Sequence, residues 1–538
     1  MEKSTGNTLN EQIMQYHIGL RSYLKGDYAT AESASDRVLA LNPIHDGALY
    51  LKSKIYYDQG QLNESAMYLI KASQADPKNE YLASEIAYMY SALGKYKEAG
   101  DTYKKLIKSN PHEASFYFGA FENYLKGKDF KNALQIVDLQ VSTFDISIES
   151  EINKYKVYIA QSDFKKAMQT LEAALTVFPN EPLILANLID LYFQENEHNK
   201  AIPLLEKLCT ADPSNGLAKL IYGEYLANTG QLEKGEKLME EAILLEGPTI
   251  EQKAELLLEK QKKHGCTSEN LLLFQQFVNQ NPSELIGRTL LGDLYVICNN
   301  PTLALEQYHS AIQLKPEAFQ VWQQLLLITY KEQQWDSLLT LSKSCEQFFP
   351  IQPMPFLTEA IALNKLENYQ AAKKVIEVGS EYITANNPSI EAEFMMQRGV
   401  IAIHEGKLND ARKYFNNAIT MQPENLFLMA DIANESIMEK TLIPYADSLL
   451  KFCLDQDPIN SKFMAINGRL LYEKGDYLLS KTWIEKAINN GYPEKFGEEW
   501  LGDCLLKTGD IQQAKTHWLK AKSLGNNSVR LSEKLKKL

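Results

Sequence analysis

Proline recurs along this chain at a fixed interval, and that interval limits what the chain can fold into more than any other feature. Pro43, Pro77 and Pro111 are 34 residues apart, Pro179 follows after two further intervals, and Pro213 lies 34 beyond it. The beat resumes at Pro282, Pro316 and Pro350, each again 34 residues from the last, and Pro423 and Pro458 are separated by 35. A phase held over most of 538 residues means one structural unit used many times, because each unit buries its apolar face only against its neighbours.

Other positions keep the same phase. Twelve residues before the proline slot sits a small side chain: Ala31, Ser65, Ala99, Ala133, Ala167, Ala201, Gly235, Ala304, Ala372 and Ala411. Twelve before that lies a second small slot, held by Gly19, Ser53, Ala87, Gly223, Gly292, Ala360, Gly399, Gly468 and Gly502. Bulkier side chains such as Leu69, Tyr103, Leu171, Leu205, Tyr308 and Phe415 follow the first small slot by four. Apolar residues at i, i+3, i+4 and i+7 predict two amphipathic helices per unit. The small slots let the two helices approach closely, and the bulky ones fill the groove toward the next unit. Gly26, Gly60, Gly94, Gly230, Gly406, Gly475 and Gly509 mark the turn between them, where a helix C-terminus wants a left-handed residue. The proline ends the second helix and begins the next unit.

These spacings resemble the tetratricopeptide repeat, and ASEIAYMYSALGKYKEAGDTYKKLIKSNP, from Ala83 to Pro111, is a close single match. The resemblance implies an all-α fold: a right-handed superhelical solenoid of about fifteen helix-turn-helix repeats, spanning 12–527. A polar tail is expected at 1–11 and a capping helix at 528–538, with Val529, Leu531, Leu535 and Leu538 on its apolar side. Three places depart from the pattern. The unit at 251–284 puts Asn270 and Phe277 at small-residue slots, the linker is lengthened at 383–388, and Thr441 to Pro444 replace a turn glycine. Tolerated drift is the plainer reading of all three, and joints or bends the sharper one.

Little in the sequence points to chemistry. There is no phosphate loop, no dinucleotide fingerprint, no H-E-x-x-H and no nucleophile elbow, and the eight histidines are scattered. The expectation is no catalytic residue, no metal and no cofactor. The six cysteines form no C-x-x-C pair, so a disulfide framework or zinc site is unexpected, and free thiols acting as small apolar residues fit better. The net charge of −13 argues against nucleic acid and anionic lipid as partners. No run approaches the roughly 18 apolar residues of a membrane helix, and MEKSTGNTLNE at the start has no signal-peptide core.

The expected function is a non-catalytic scaffold holding protein or peptide partners in a concave groove. Recognition of a chaperone tail is not expected. The family's Lys, Asn and Arg clamp is not reproduced at Tyr16 and Leu20, Tyr50 and Lys54, or Ser84 and Tyr88. Aromatic side chains cluster instead on the first helices of four consecutive units: Tyr16, Tyr50, Tyr81, Tyr88 and Phe118, with Lys54 as a cation able to steer an acidic partner. Aromatics with a polar tip suit interfaces, and packing between helices is the competing reading. Toward the other end the equivalent slots hold Asp431, Glu435, Glu499 and Asp503, read as a solvated acidic face or as an attraction for a basic partner. The final unit, EEWLGDCLLKTGDIQQAKTHWLKAKSLG, resembles the closing repeat of bacterial envelope lipoproteins. That resemblance implies an alternative: an outer-membrane assembly factor facing the periplasm, its leader removed. As it stands, the sequence suggests the cytoplasm.

Overall fold

In the computed structural model the chain is helical throughout residues 2–384 and 387–536, the residues described, with side chains described from residue 8 onward; Met1, Ala385, Asn386, Lys537 and Leu538 lie outside them. Thirty-one α-helices and one short 3₁₀ turn follow one another, with no strand among the described residues. Thirty of the helices form fifteen hairpins, and the last, Val529–Lys536, closes the array. The first helix runs from Glu2 to Leu24, so helix continues through the segment expected as a polar tail.

Each hairpin follows from its slots. Ala31, Ala99, Ala133, Ala167, Ala201, Ala304, Ala372 and Ala411 are all wholly buried. At the second slot, a Cβ on Gly399 would sit 2.3 Å from the Phe415 ring, and one on Gly292 would sit 2.8 Å from Tyr308. Glycine there is what lets an aromatic ring of the second helix lie against the first helix's backbone. Between the helices the chain turns through one left-handed residue. Gly60 (φ 76°) and Gly94 (φ 71°) do this without strain, whereas Lys128, Ser162, Asn196, Asn299, Gln333 and Glu367 adopt φ of 54° to 60° at the same turn. A side chain in that conformation costs about 1–2 kcal/mol, which the packed helices on either side offset.

The chain divides into two compact units, 1–253 and 254–538, with the division inside the Ile250–His264 helix. Within the second unit, successive first helices touch one another directly: Pro353–Lys365, Pro388–His404, Leu426–Ser436, Ser461–Glu473 and Glu494–Thr508. In the first unit Glu2–Leu24 touches Asp46–Asp58 in the same way. In this stretch of the second unit first helices therefore form the more crowded layer.

The departures from the pattern are accommodated locally. Phe277 is wholly buried at its small-residue slot, and the next first helix makes room with Gly287, whose missing Cβ would lie 3.1 Å from the ring. Asn270 is buried and donates to the Gly265 carbonyl at 2.8 Å, which satisfies its amide. The missing turn glycine near 441 is replaced by a 3₁₀ turn, Lys440–Leu442, with Pro444 in the first turn of the helix that follows. The Ala385–Asn386 part of the lengthened linker lies outside the described residues. In the closing helix Leu531 is buried and Leu535 packs beside it, while Val529 is 73% exposed rather than on the apolar side; Leu538 lies outside the described residues.

One expectation about cysteine is overturned. Cys266 and Cys298 are joined by a disulfide, with Cα atoms 5.1 Å apart and a sequence separation of 32. They occupy turns of adjacent hairpins, so a spacing near one repeat brings them side by side. That reasoning needs the hairpin register and not a short motif. Cys345, Cys453 and Cys504 are buried free thiols and Cys209 is half-buried. Burial pushes the Cys453 and Cys504 thiols up to about 11, which keeps them protonated and inert.

Candidate functional site: an aromatic face on four first helices

The first unit carries one exposed face built at i, i+4 and i+7 on consecutive first helices. Those positions share a helix side. Glu2–Leu24 contributes Tyr16, Leu20 and Tyr23; Asp46–Asp58 contributes Tyr50, Lys54 and Tyr57; Glu80–Ala92 contributes Tyr81, Glu85 and Tyr88; Ala114–Lys126 contributes Phe118 and Glu122. The repeat then places the rings in rows. The Tyr50 and Tyr81 hydroxyls meet at 2.8 Å with their rings edge-on at 5.8 Å. The Tyr57 and Tyr88 hydroxyls meet at 3.1 Å. Both pairs are 31 residues apart in sequence, so two rungs of a ladder span two hairpins.

Carboxylates hold the hydroxyl ends. Tyr50 donates to Glu85 at 3.3 Å, and Tyr23 donates to Asp58 at 2.8 Å. Burial, the Tyr81 hydroxyl and Glu85 together raise the Tyr50 phenol well above its ordinary value. Burial and the bond to Asp58 push Tyr23 up to about 12. These hydroxyls therefore stay neutral donors over the whole physiological range. Glu85 and Asp58 were not singled out from the sequence. Their signal was present, since Glu85 lies four residues after Tyr81 and three before Tyr88, but its use depends on knowing which face is shared.

The six residues expected at the site fare differently. Tyr81, Tyr88 and Phe118 are 57%, 54% and 58% exposed, which is high for rings on a rigid helical array. Tyr50 is half-buried. Tyr16 is half-buried against His45, ring centroids 5.2 Å apart, and lies over Gly47, whose missing Cβ would sit 2.9 Å from its hydroxyl. Tyr16 thus packs between hairpins and contributes only an edge. Lys54 is 4.0 Å from Glu85 and 5.4 Å from the Tyr57 ring centroid, so its charge is partly matched within the face. Phe118 stands on the next helix with no ring pairing among the described residues.

The acidic slots of the second unit behave otherwise. Asp431 pairs with Lys462 at 2.7 Å and Glu435 with Lys365 at 2.5 Å. Glu499 accepts from Lys534 and Asn526, and Asp503 from Arg530, Lys534 and Trp518. Lys495 pairs with Glu332, 163 residues away. The expected solvated acidic face is instead a network of internal ion pairs, several of which fasten the closing helix. Within it Glu393 makes no hydrogen bond or ion pair among the described residues, and burial followed by the neighbouring Asp431 pushes its carboxyl up to about 7.

Models of the tetratricopeptide repeat match residues 22–80, 84–113, 158–208 and 392–425, and those stretches fall on the hairpins described above. The chain carries tetratricopeptide repeats. Its repeats are also similar to part of the human protein O-mannosyl-transferase TMTC3, 21% identical over 250 residues, which is 45% of this chain and 26% of that protein. The match thus spans about a quarter of that relative's length. Among solved structures, a tetratricopeptide-repeat protein from Parabacteroides merdae is 19% identical, covering 46% of this chain and 98% of the other, with a TM-score of 0.28. The structure of Naa15/Naa10 bound to HypK-THB is 14% identical, covering 98% of this chain and 99% of the other, with a TM-score of 0.33. No helix among the described residues is long and apolar enough to cross a membrane.

Proposed function

We propose that these repeats serve as a non-catalytic scaffold, and that the first unit docks protein or peptide partners on its aromatic face. The observation that carries this reading is the row formed by Tyr81, Tyr88 and Phe118, each more than half exposed on a packed first helix. Large rings left in water forfeit burial energy, and interfaces draw most of their affinity from such aromatic anchors. A face built on stacked helices is already ordered, so little conformational entropy opposes docking. The test is affinity capture from the native cell with the parent and with Tyr50→Ala plus Tyr88→Ala. Partner capture should fall at least tenfold while the circular dichroism and melting of the variant stay near the parent's. Capture of every partner at parental strength by a folded variant would place docking elsewhere.

A second reading, an envelope-facing assembly factor, is favoured by one observation: the Cys266–Cys298 disulfide. Such bonds persist in oxidising compartments and are rare in reducing ones. Quenching cells in acid and alkylating the denatured protein, before any reductant is added, distinguishes the two. Four modified cysteines fit the oxidised chain, and six would remove the support for this reading.

A further inference from the structure

The docking face has a charge pattern that says more about its occupant than its rings do. Along the same helices Lys54 lies between Tyr50 and Tyr57, Glu85 lies between Tyr81 and Tyr88, Glu122 lies one turn beyond Phe118, and Asp58 follows Tyr57. Lys54 and the exposed Lys126, one turn after Glu122, are the cations of this set, and Lys54 is already shared with Glu85 at 4.0 Å. Asp58 accepts hydrogen bonds from the Tyr23 hydroxyl at 2.8 Å and the Tyr28 hydroxyl at 3.5 Å, and no cation pairs with it among the described residues. Glu122 is half-buried, one turn beyond the exposed Phe118, and makes no ion pair or hydrogen bond among the described residues. Three carboxylates therefore face two ammoniums, so Lys54 does not make the face attractive to an acidic partner.

Resting on the docking reading above, we infer that the occupant is a partner segment in which apolar side chains alternate with lysine or arginine. Its apolar groups cover Tyr81, Tyr88 and Phe118. Its cations lie with their aliphatic stems along the same rings and their heads at Glu85 and Glu122. Both halves follow from general chemistry. Long basic side chains lay apolar stems on apolar surface while the head seeks a carboxylate, and a cation over a tyrosine or phenylalanine face gains further attraction. The excess of negative charge also steers a basic segment toward the face and repels an acidic one.

The experiment uses the full chain and two fluorescein-labelled twelve-residue amphipathic peptides, one of leucine and arginine, the other of leucine and glutamate. Fluorescence anisotropy gives each affinity. The leucine–arginine peptide should bind and the leucine–glutamate peptide should not. Glu85→Gln with Glu122→Gln should weaken the first by about tenfold. Glu317→Gln with Glu424→Gln, two exposed carboxylates of the second unit, removes the same charge elsewhere and should leave affinity unchanged. An equal loss in both pairs of variants would mean that overall charge alone attracts the peptide, and the inference falls. Tyr81→Ala with Tyr88→Ala separates the two readings. If it abolishes binding while Glu85→Gln with Glu122→Gln does not, the docking face stands and the basic occupant is wrong. If neither variant weakens binding, both readings fail. Equal binding of the two peptides, or binding of neither, also overturns the basic occupant.

Discussion

Removing the disulfide gives the sharpest test of how the second unit is held together. Cys298→Ser leaves Cys266 exposed and unpaired and takes little packing with it, because Cys298 is itself only half-buried. The bond closes a loop of 32 residues. In the chain-entropy account, such a closure withholds about 3–4 kcal/mol of freedom from the unfolded segment. Repeat arrays pass energy mainly to their nearest neighbours, so the loss should concentrate on the hairpins of Ser268–Gln280 and Leu285–Ile297, the stretch that departs most from the repeat pattern. Hydrogen exchange read by mass spectrometry is the assay. In the oxidised parent these two helices should be protected as well as Glu80–Ala92. In the Cys298→Ser protein, or in the parent under a phosphine reductant, their exchange should accelerate by roughly two to three orders of magnitude, since about 1.4 kcal/mol is tenfold, while Glu80–Ala92 is unaffected. Cys266→Ser combined with Cys298→Ser should be no worse than either alone, because both remove the same bond. Unchanged protection in both single variants, or an equal loss in Glu80–Ala92, would refute this reasoning.

Two further perturbations follow from the packing and the buried charge. Ala99 is wholly buried, so Ala99→Leu should overpack its hairpin and cost about 1–3 kcal/mol; a urea midpoint equal to the parent's would show that the slot is not a helix contact. Glu393 holds its proton up to about pH 7 when folded, against an ordinary value of 4.5. Its contribution is therefore full below pH 4.5 and is lost as pH rises toward 7, by up to about 3 kcal/mol. Glu393→Gln should accordingly gain in melting temperature over the parent as pH goes from 5 to 8, and a pH-independent difference would contradict the assignment.

The hairpins could be read from the sequence because their signals are local. A small residue recurring with the proline phase needs only one register, and Ala99, Ala167 and Ala304 are buried as that register requires. The site was legible only in part. Tyr81, Tyr88 and Phe118 could be placed on first helices by counting, and they are exposed. Tyr16 could not be distinguished from them, because its burial depends on Gly47 and His45 of the next hairpin. Lys54, read as a free cation, is matched by Glu85, and Asp431, Glu435, Glu499 and Asp503 are matched by lysines and arginines up to 70 residues distant. Most of these pairs join neighbouring hairpins, and which side chain of one helix meets which of the next is set by their packing register, which periodicity alone does not specify.

The pair between Lys495 and Glu332 changes what kind of object the second unit is. An array secured only by adjacent contacts is indifferent to length, and a hairpin can be gained or lost as a module. Once the turn after Phe319–Lys331 meets the start of Glu494–Thr508, the number of hairpins between them becomes part of the structure. Adding one would move Lys495 off its partner by a full repeat, and deleting one would do the same in the other direction. Natural variation in repeat number should therefore be tolerated outside this span and selected against within it.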